Sequence, residues 1–421
     1  MRKTNIRSMQ QDTSQGRLRI SVESSLRDIP ISDARIEISY SGDPDSTVEE
    51  LRTDENGQTE IIELEAPPVE YSLTPGEEQP YSEYTYRVSA EGFETITVSG
   101  SEILAGQLAL QDIRLRPLEA QNVPDVVVIP AHTLYGNYPP KIAEAEVKPV
   151  SQTGEIVLSR VVIPEFVIVH DGSPRDTTAS DYYVRYRDYI KNVASSEIYS
   201  TWPRAALEAN ILAIMSFTLN RVYTEWYRNK GFNFTITSST AFDHKWIYGR
   251  NIFESISEAV DDLFDNYLSR PNVRQPILTQ YCDGNRVTCP SWMSQWGSKN
   301  LADQGYSAVE ILRYYYGDTM YVNTAEEVAG VPVSWPGYSL RRGSSGEPVR
   351  QMQEQLNAIS NNYPLIPRIA VDGVFGPATE NAVRVFQQVF NLTQDGIVGR
   401  RTWNKIQEIY VGVTRIAELY P

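Results

Sequence analysis

The sequence predicts a multidomain α+β protein, with an antiparallel β-sandwich in front, a central domain of mixed α and β structure, and a small helical module at the C-terminal end. Three observations predict it. Short runs of alternating apolar and polar residues fill Leu18 to about Arg116, the period of half-buried strands. After Pro203 the apolar residues change to three-and-four spacing, the period of a core-facing helix. Near the end, DGVFGPAT at Asp372 and DGIVGRRT at Asp395 repeat Asp, Gly, Gly and Thr at an offset of 23 residues. The length of 421 residues agrees, because single cores stop growing at about 250–300 residues.

In chain order, front strands are expected at LRISVE, ARIEISY, TEIIEL, YTYRVSA and FETITVSG, with Asn56-Gly57 supplying the positive φ of a hairpin turn. From Pro117 to Arg160 prolines are frequent and periodicity is weak, which predicts an extended connector within reach of a protease. VVIPEFVIVH then reads as a strand and DGSPRDTTAS as a loop, followed by two helical segments that bracket NVASSEIYSTWPRAALEANI. In the second of these, Leu207, Ile211, Ile214, Met215, Leu219, Val222 and Trp226 share one face, Pro203 opens the helix with Ser200 or Thr201 as its cap, and Gly231 stops it. Further helices are expected over roughly Ile252 to Leu268 and over Ala308 to Tyr316, and each C-terminal Asp-Gly turn leads into a short helix.

Charge is unevenly spread. From Val161 onward 24 Lys and Arg face 27 Asp and Glu, so −3 of the formal −16 lies there and −13 lies in residues 1–160. A phosphate-binding surface needs an excess of Lys and Arg, so this distribution argues against nucleic acid as a partner. MRKTNIRSMQQDTSQG lacks an apolar stretch after its positive charges, so no signal peptide is visible, and no window is apolar enough for a membrane span. Two cysteines, Cys282 and Cys289, neither staple a small fold nor form a four-ligand zinc site by themselves.

The segment LRRGSSGEPVRQMQEQLNAI through VDGVFGPATENAVRVFQQVFNLTQDGIVGRRTWNKI resembles the peptidoglycan-binding domain type 1. DYIKNVASSEIYSTWPRAALEAN and MSQWGSKNLADQGYSAVEILRYYYG, in that order, resemble the stage II sporulation protein D (SpoIID) family over roughly Phe166 to Thr319. Together with an acidic front segment, these resemble the spore cortex-lytic enzymes of SleC type. That resemblance implies an acidic pro-domain at 1–116, a Pro-rich linker at 117–160 with a processing site between Arg160 and Val161, a SpoIID-like catalytic domain at 161–330 and the binding module at 331–421. It further implies a germination-specific lytic transglycosylase, located in the cortex or coat region of the spore, with cortex peptidoglycan and an activating protease as partners. No cofactor and no metal are expected, and the oligomeric state is left open.

Cleaving a glycosidic bond requires a proton on the leaving oxygen, which a carboxylic acid of raised pKa can deliver. The resemblance assigns that role to Glu197, and in a lytic transglycosylase one carboxyl suffices, because the muramoyl C6 hydroxyl attacks within the sugar. A hydrolase would need a second carboxylate, for which Asp243 is the candidate. Ser294, Gln295, Trp296 and Tyr248 are candidate substrate-binding residues, since amide and aromatic groups suit hydroxyl-rich ligands. The chain departs from many relatives in having Cys289 where a histidine stands. Cys282 and Cys289 could close a hairpin disulfide, remain thiols, or join His244 on a metal. The competing reading is a non-catalytic wall-binding activator of an amidase.

Overall fold

The computed structural model describes residues 14–25, 29–118, 125–146, 158–329 and 335–414. The front strands are β1 (Ser14–Ser24), β2 (Arg35–Tyr40), β3 (Asp43–Arg52), β4 (Ile62–Ala66), β5 (Ser82–Ser89), β6 (Ile96–Ile103), β7 (Leu108–Leu115) and β8 (Asp125–Val128). They form two sheets, one of order β7-β1-β4 and one of order β3-β2-β5-β6-β8. The pairing is not antiparallel throughout, as the alternation had suggested: β1 runs parallel to β7, and β6 parallel to β8. The cause is connectivity. The chain changes sheet after β1, β3, β4, β6 and β7, so strands that meet within the first sheet are not joined by hairpins. Asn56-Gly57 accordingly lies on the crossover from β3 to β4. Gly57 does take φ +71°, where a Cβ would come within 2.5 Å of the Val22 carbonyl oxygen.

The central domain continues with β9 (Val162–Ile163), β10 (Phe166–His170), β11 (Asp181–Arg185), α1 (Tyr186–Glu197), α2 (Arg204–Tyr223), β12 (Ile236–Thr237), β13 (Ile252–Phe253) and α3 (Glu254–Leu263). After these come β14 (Asn266–Ser269), β15 (Tyr281–Cys282), β16 (Met293–Ser294), α4 (Gln295–Asp303), α5 (Ala308–Tyr316), β17 (Tyr321–Thr324) and β18 (Glu327–Val328). Helix α2 is buried on nearly every side, as its almost unbroken apolar run requires, and α1, α3, α4 and α5 pack around it. Pro203 is its cap residue. Thr201 does not cap it, because its hydroxyl is engaged by Ser72 of the front region at 2.7 Å. The expected helix over Ile252 to Leu268 stops at Leu263, and NYLS instead pairs as β14 with β17.

The front region and central domain share one hydrophobic core. Strand β13 extends the first front sheet beyond β7. Beside it, the fully buried Arg250 guanidinium donates two hydrogen bonds to the Glu102 carboxylate, at 3.0 and 2.6 Å, and Asn251 exchanges two more with the Glu102 backbone. Trp202 donates to the Ser72 carbonyl at 2.9 Å.

The C-terminal module, α6 (Glu347–Ile359), α7 (Pro377–Val389) and α8 (Arg400–Thr414), has its own core. Its repeat is structural. The buried Gln353 amide donates to Asp372, the Val374 carbonyl and Thr379, and accepts from the Gly373 N–H; Gln387 does the same with Asp395, Ile397, Thr402 and Gly396. Each Asp-Gly-x-x-Gly-x-x-Thr turn thus wraps one glutamine.

The module is not loosely tethered. A buried ionic network of Lys191 and Arg187 from α1, Asp261 from α3, and Lys405 and Glu408 from α8 joins it to the central domain. Burial alone would raise the Glu408 pKa, but Arg187, Lys405 and Lys191 together hold it far below the usual carboxylate range. That stabilisation is complete above the unfolded-state value and is lost as pH falls toward the folded one. E408Q leaves buried cations uncompensated and is expected to cost about 3–5 kcal/mol at neutral pH. Urea denaturation of both proteins at pH 7 and pH 3 should show that difference shrinking at the lower pH.

Candidate functional site

Helix α1 presents Ile190, Val193 and Ala194 to the core and ends at Glu197, a buried residue with 4% exposure. Its Oε1 accepts the Lys245 backbone N–H at 2.7 Å, and its Oε2 accepts the Tyr281 hydroxyl. Its carbonyl oxygen accepts the Gln295 amide at 3.1 Å. Behind Tyr281, the His244 ring stacks at 5.8 Å, and its Nδ1 meets the Tyr189 hydroxyl at 3.0 Å. Burial, reinforced by Lys141 and Arg221, depresses the His244 pKa and keeps the imidazole neutral.

Burial raises the Glu197 pKa; Lys141, the Tyr281 hydroxyl and the Lys245 N–H oppose that shift without cancelling it. The helix dipole also acts, in a direction the sequence does not reveal. Glu197 lies at the negative C-terminal end of α1, which favours the protonated form, and not in the first turn of α2.

A cavity of about 160 Å³ opens at this carboxyl. Tyr281, Gln295 and Asp243 form part of its wall, and Asp283, Arg286 and Val287 contribute from the loop closed by the Cys282–Cys289 disulfide, whose Cα atoms are 5.6 Å apart. The rest of the wall comes largely from the stretch expected as a connector. Thr133, Leu134 and residues 136–141 line the cavity without regular secondary structure. The strap is bonded along its length: Thr133 N–H and hydroxyl donate to the Ser196 carbonyl, Arg286 donates to the Gly136 carbonyl, and Ile142 N–H donates to the Ala241 carbonyl at 2.7 Å. Lys141 turns its ammonium inward to the Asp243 carbonyl, 4.6 Å from the Phe217 ring centre. Burial pushes its pKa down to about 8 against the pull of Glu197 and Asp243.

Of the residues proposed from sequence, Glu197, Gln295, Asp243 and the disulfide-bonded Cys282 meet at this cavity. Asp243 is fully engaged, accepting Arg221 Nε at 2.6 Å, the Tyr227 hydroxyl at 2.6 Å, and the Thr237 N–H and hydroxyl at 2.9 and 2.7 Å. Asp283 is spent on the N–H groups of Asn285, Arg286 and Val287. Ser294 caps α4 through the Gly297 N–H at 2.8 Å. Trp296 is buried against Trp202 and Tyr199. Tyr248 is half-exposed on Tyr182, away from the cavity wall. Arg160 is half-exposed and paired with Glu327, next to the buried Val161. Sequence reasoning missed Tyr281, which opens the two-residue strand β15, and Lys245 and Lys141, which sit in irregular segments; none of the three stretches is long enough to show a period.

Residues 345–406 match the family model described as putative peptidoglycan binding domain. The chain carries a peptidoglycan-binding module. It is 46% identical over 77 residues to the zinc D-Ala-D-Ala carboxypeptidase of Streptomyces albus G, covering 18% of this chain and 28% of that relative. It is 41% identical over 76 residues to an uncharacterized protein in the bpoA1 3'region of Kitasatospora aureofaciens, covering 17% of this chain and 60% of that one. The chain thus spans less than two thirds of the curated relatives it matches. Among solved structures, the SleB N-terminal domain is 34% identical, covering 18% of this chain and 99% of that chain at a TM-score of 0.16.

A carboxyl whose folded pKa is raised contributes stability that is complete below its unfolded value and lost as pH rises through the folded one. E197Q removes that loss. The variant is expected to be more stable than wild type at pH 8 and to lose the advantage near pH 4, as read by urea denaturation at the two pH values.

Proposed function

We propose that this protein cleaves the glycan strands of spore cortex peptidoglycan as a germination-specific lytic transglycosylase, with Glu197 as its acid. The observation that carries the reading is a buried carboxyl of raised pKa at a cavity whose other two carboxylates are already engaged, in a chain that also carries a peptidoglycan-binding module. The protonated Glu197 gives its proton to the glycosidic oxygen. The muramoyl C6 hydroxyl attacks the anomeric carbon, and the resulting carboxylate takes the hydroxyl proton. Tyr281 and the Lys245 N–H fix the carboxyl and stabilise its ionised form between the two transfers. The engagement of Asp243 and Asp283 by four and three donors favours this route over hydrolysis through a second carboxylate.

The chain as it stands fits a latent form. The strap forms one wall of the cavity, and the Lys141 charge works against the protonated state that an acid requires. Cutting between Arg160 and Val161 would sever the strap and front region from the catalytic domain covalently. Their shared core and the Arg250–Glu102 pair would still hold them together until they dissociate.

E197Q, assayed in protein cut after Arg160, is expected to lose at least a hundredfold in release of anhydro-muramoyl ends, read by mass spectrometry of digested cortex. Near-wild-type release removes Glu197 from the mechanism, and new reducing ends would point to a hydrolase. Separately, the uncut chain should lyse cortex at least tenfold more slowly than the cut chain, measured as the fall in turbidity. Equal rates would refute latency.

A further inference from the structure

Beyond the cavity, the strap is read by the central domain in the manner of a bound ligand. The Gln280 side-chain amide donates to the Ile142 carbonyl at 2.9 Å and accepts the Glu144 N–H at 3.1 Å. The Glu144 carboxylate then receives Arg221 through two parallel hydrogen bonds, Nη1 at 3.0 Å and Nη2 at 2.6 Å.

Arg221 is a fully buried arginine on α2, and the domain holds it from behind without help from the strap. Its Nε binds Asp243, itself fixed by Tyr227 and Thr237, and its Nη2 also donates to the Phe242 carbonyl at 2.9 Å. Only the outer edge of the guanidinium faces Glu144. A guanidinium keeps its charge at any accessible pH, and its planar fork matches a carboxylate. Once the strap leaves, the fork stays in place on Asp243, and the N–H groups that Glu144 had accepted are left buried without that partner, which is costly. Asp243, which anchors it, lines the same cavity as Glu197.

We propose that Arg221 is a carboxylate-binding subsite beside the Glu197 cavity, with Glu144 occupying it in the latent chain in place of a substrate carboxylate. Gln280 beside it reads an amide of the same ligand. The proposal rests on the reading that the strap gives way to peptidoglycan. The matching ligand is a muramoyl sugar with a free carboxylate, either on its own lactyl group or on an attached peptide.

The test uses the full chain bearing E144A, with hydrogen–deuterium exchange of residues 131–146 as the readout of strap displacement. Three probes are titrated: an N-acetylglucosaminyl–N-acetylmuramic acid disaccharide, its methyl ester, and the same disaccharide carrying a dipeptide with a free carboxylate. One of the two acids should raise exchange at a concentration at least tenfold below that of the ester, and which acid does so names the source of the carboxylate. In wild type, Glu144 should make either acid at least tenfold less effective. Equal action of acid and ester, or no displacement by any probe, overturns the proposal. If E144A folds poorly, E144Q carries the same comparison. Catalysis is read independently, so anhydro ends without carboxylate preference would sink the subsite alone, whereas preference without such ends would sink the reaction alone.

Discussion

A carboxyl group taken out of water at the wrong end of a helix is the constraint around which the central domain is arranged. Glu197 is exposed to the negative end of α1 and shielded from solvent, and either condition alone would favour the neutral acid. Its surroundings hold that preference within bounds. A phenol and one backbone N–H supply two hydrogen bonds, enough to keep the ionised form accessible, and the neighbouring imidazole adds no charge of its own. Tyr189, His244 and Tyr281 make a continuous stack and hydrogen-bond chain from α1 back to its own last residue, so the tilt of the helix and the direction of the acid are set together.

The front region meets this arrangement at its most sensitive point. Ser72 is bonded to both Thr201 and Trp202, four and five residues beyond Glu197, and Arg250 donates to the Ser195 carbonyl while paired with Glu102. A region joined only through a spacer would leave this geometry untouched. Here the same contacts that build the shared core also brace the turn that carries the acid.

Much of this was legible in the sequence, and the failures have identifiable causes. Helix α5 was readable to the residue because Ser307 and Glu310 form a capping box and Gly317 follows. The C-terminal repeat was readable because each turn needs Asp, Gly and Thr around one glutamine. Glu197 was singled out by its motif. Strand direction in the front sheets was not readable, since alternation reports burial and says nothing about which strand lies beside which. The segment from Thr133 to Glu146 looked like a spacer because its order comes from long-range partners such as Ser196, Gln280 and Arg221, and not from any local period.

The ionic seat beneath the C-terminal module has a consequence for how the molecule addresses an insoluble surface. With α8 locked to α1 and α3, the module acts as a fixed mount, and whatever it holds meets the rest of the protein at one angle. Under the proposed function, reach along a glycan strand is governed by the fixed offset between the module and Glu197, so successive sugars are not equally accessible. Such a body meets a repeating ligand in register, as a gauge set to one spacing would.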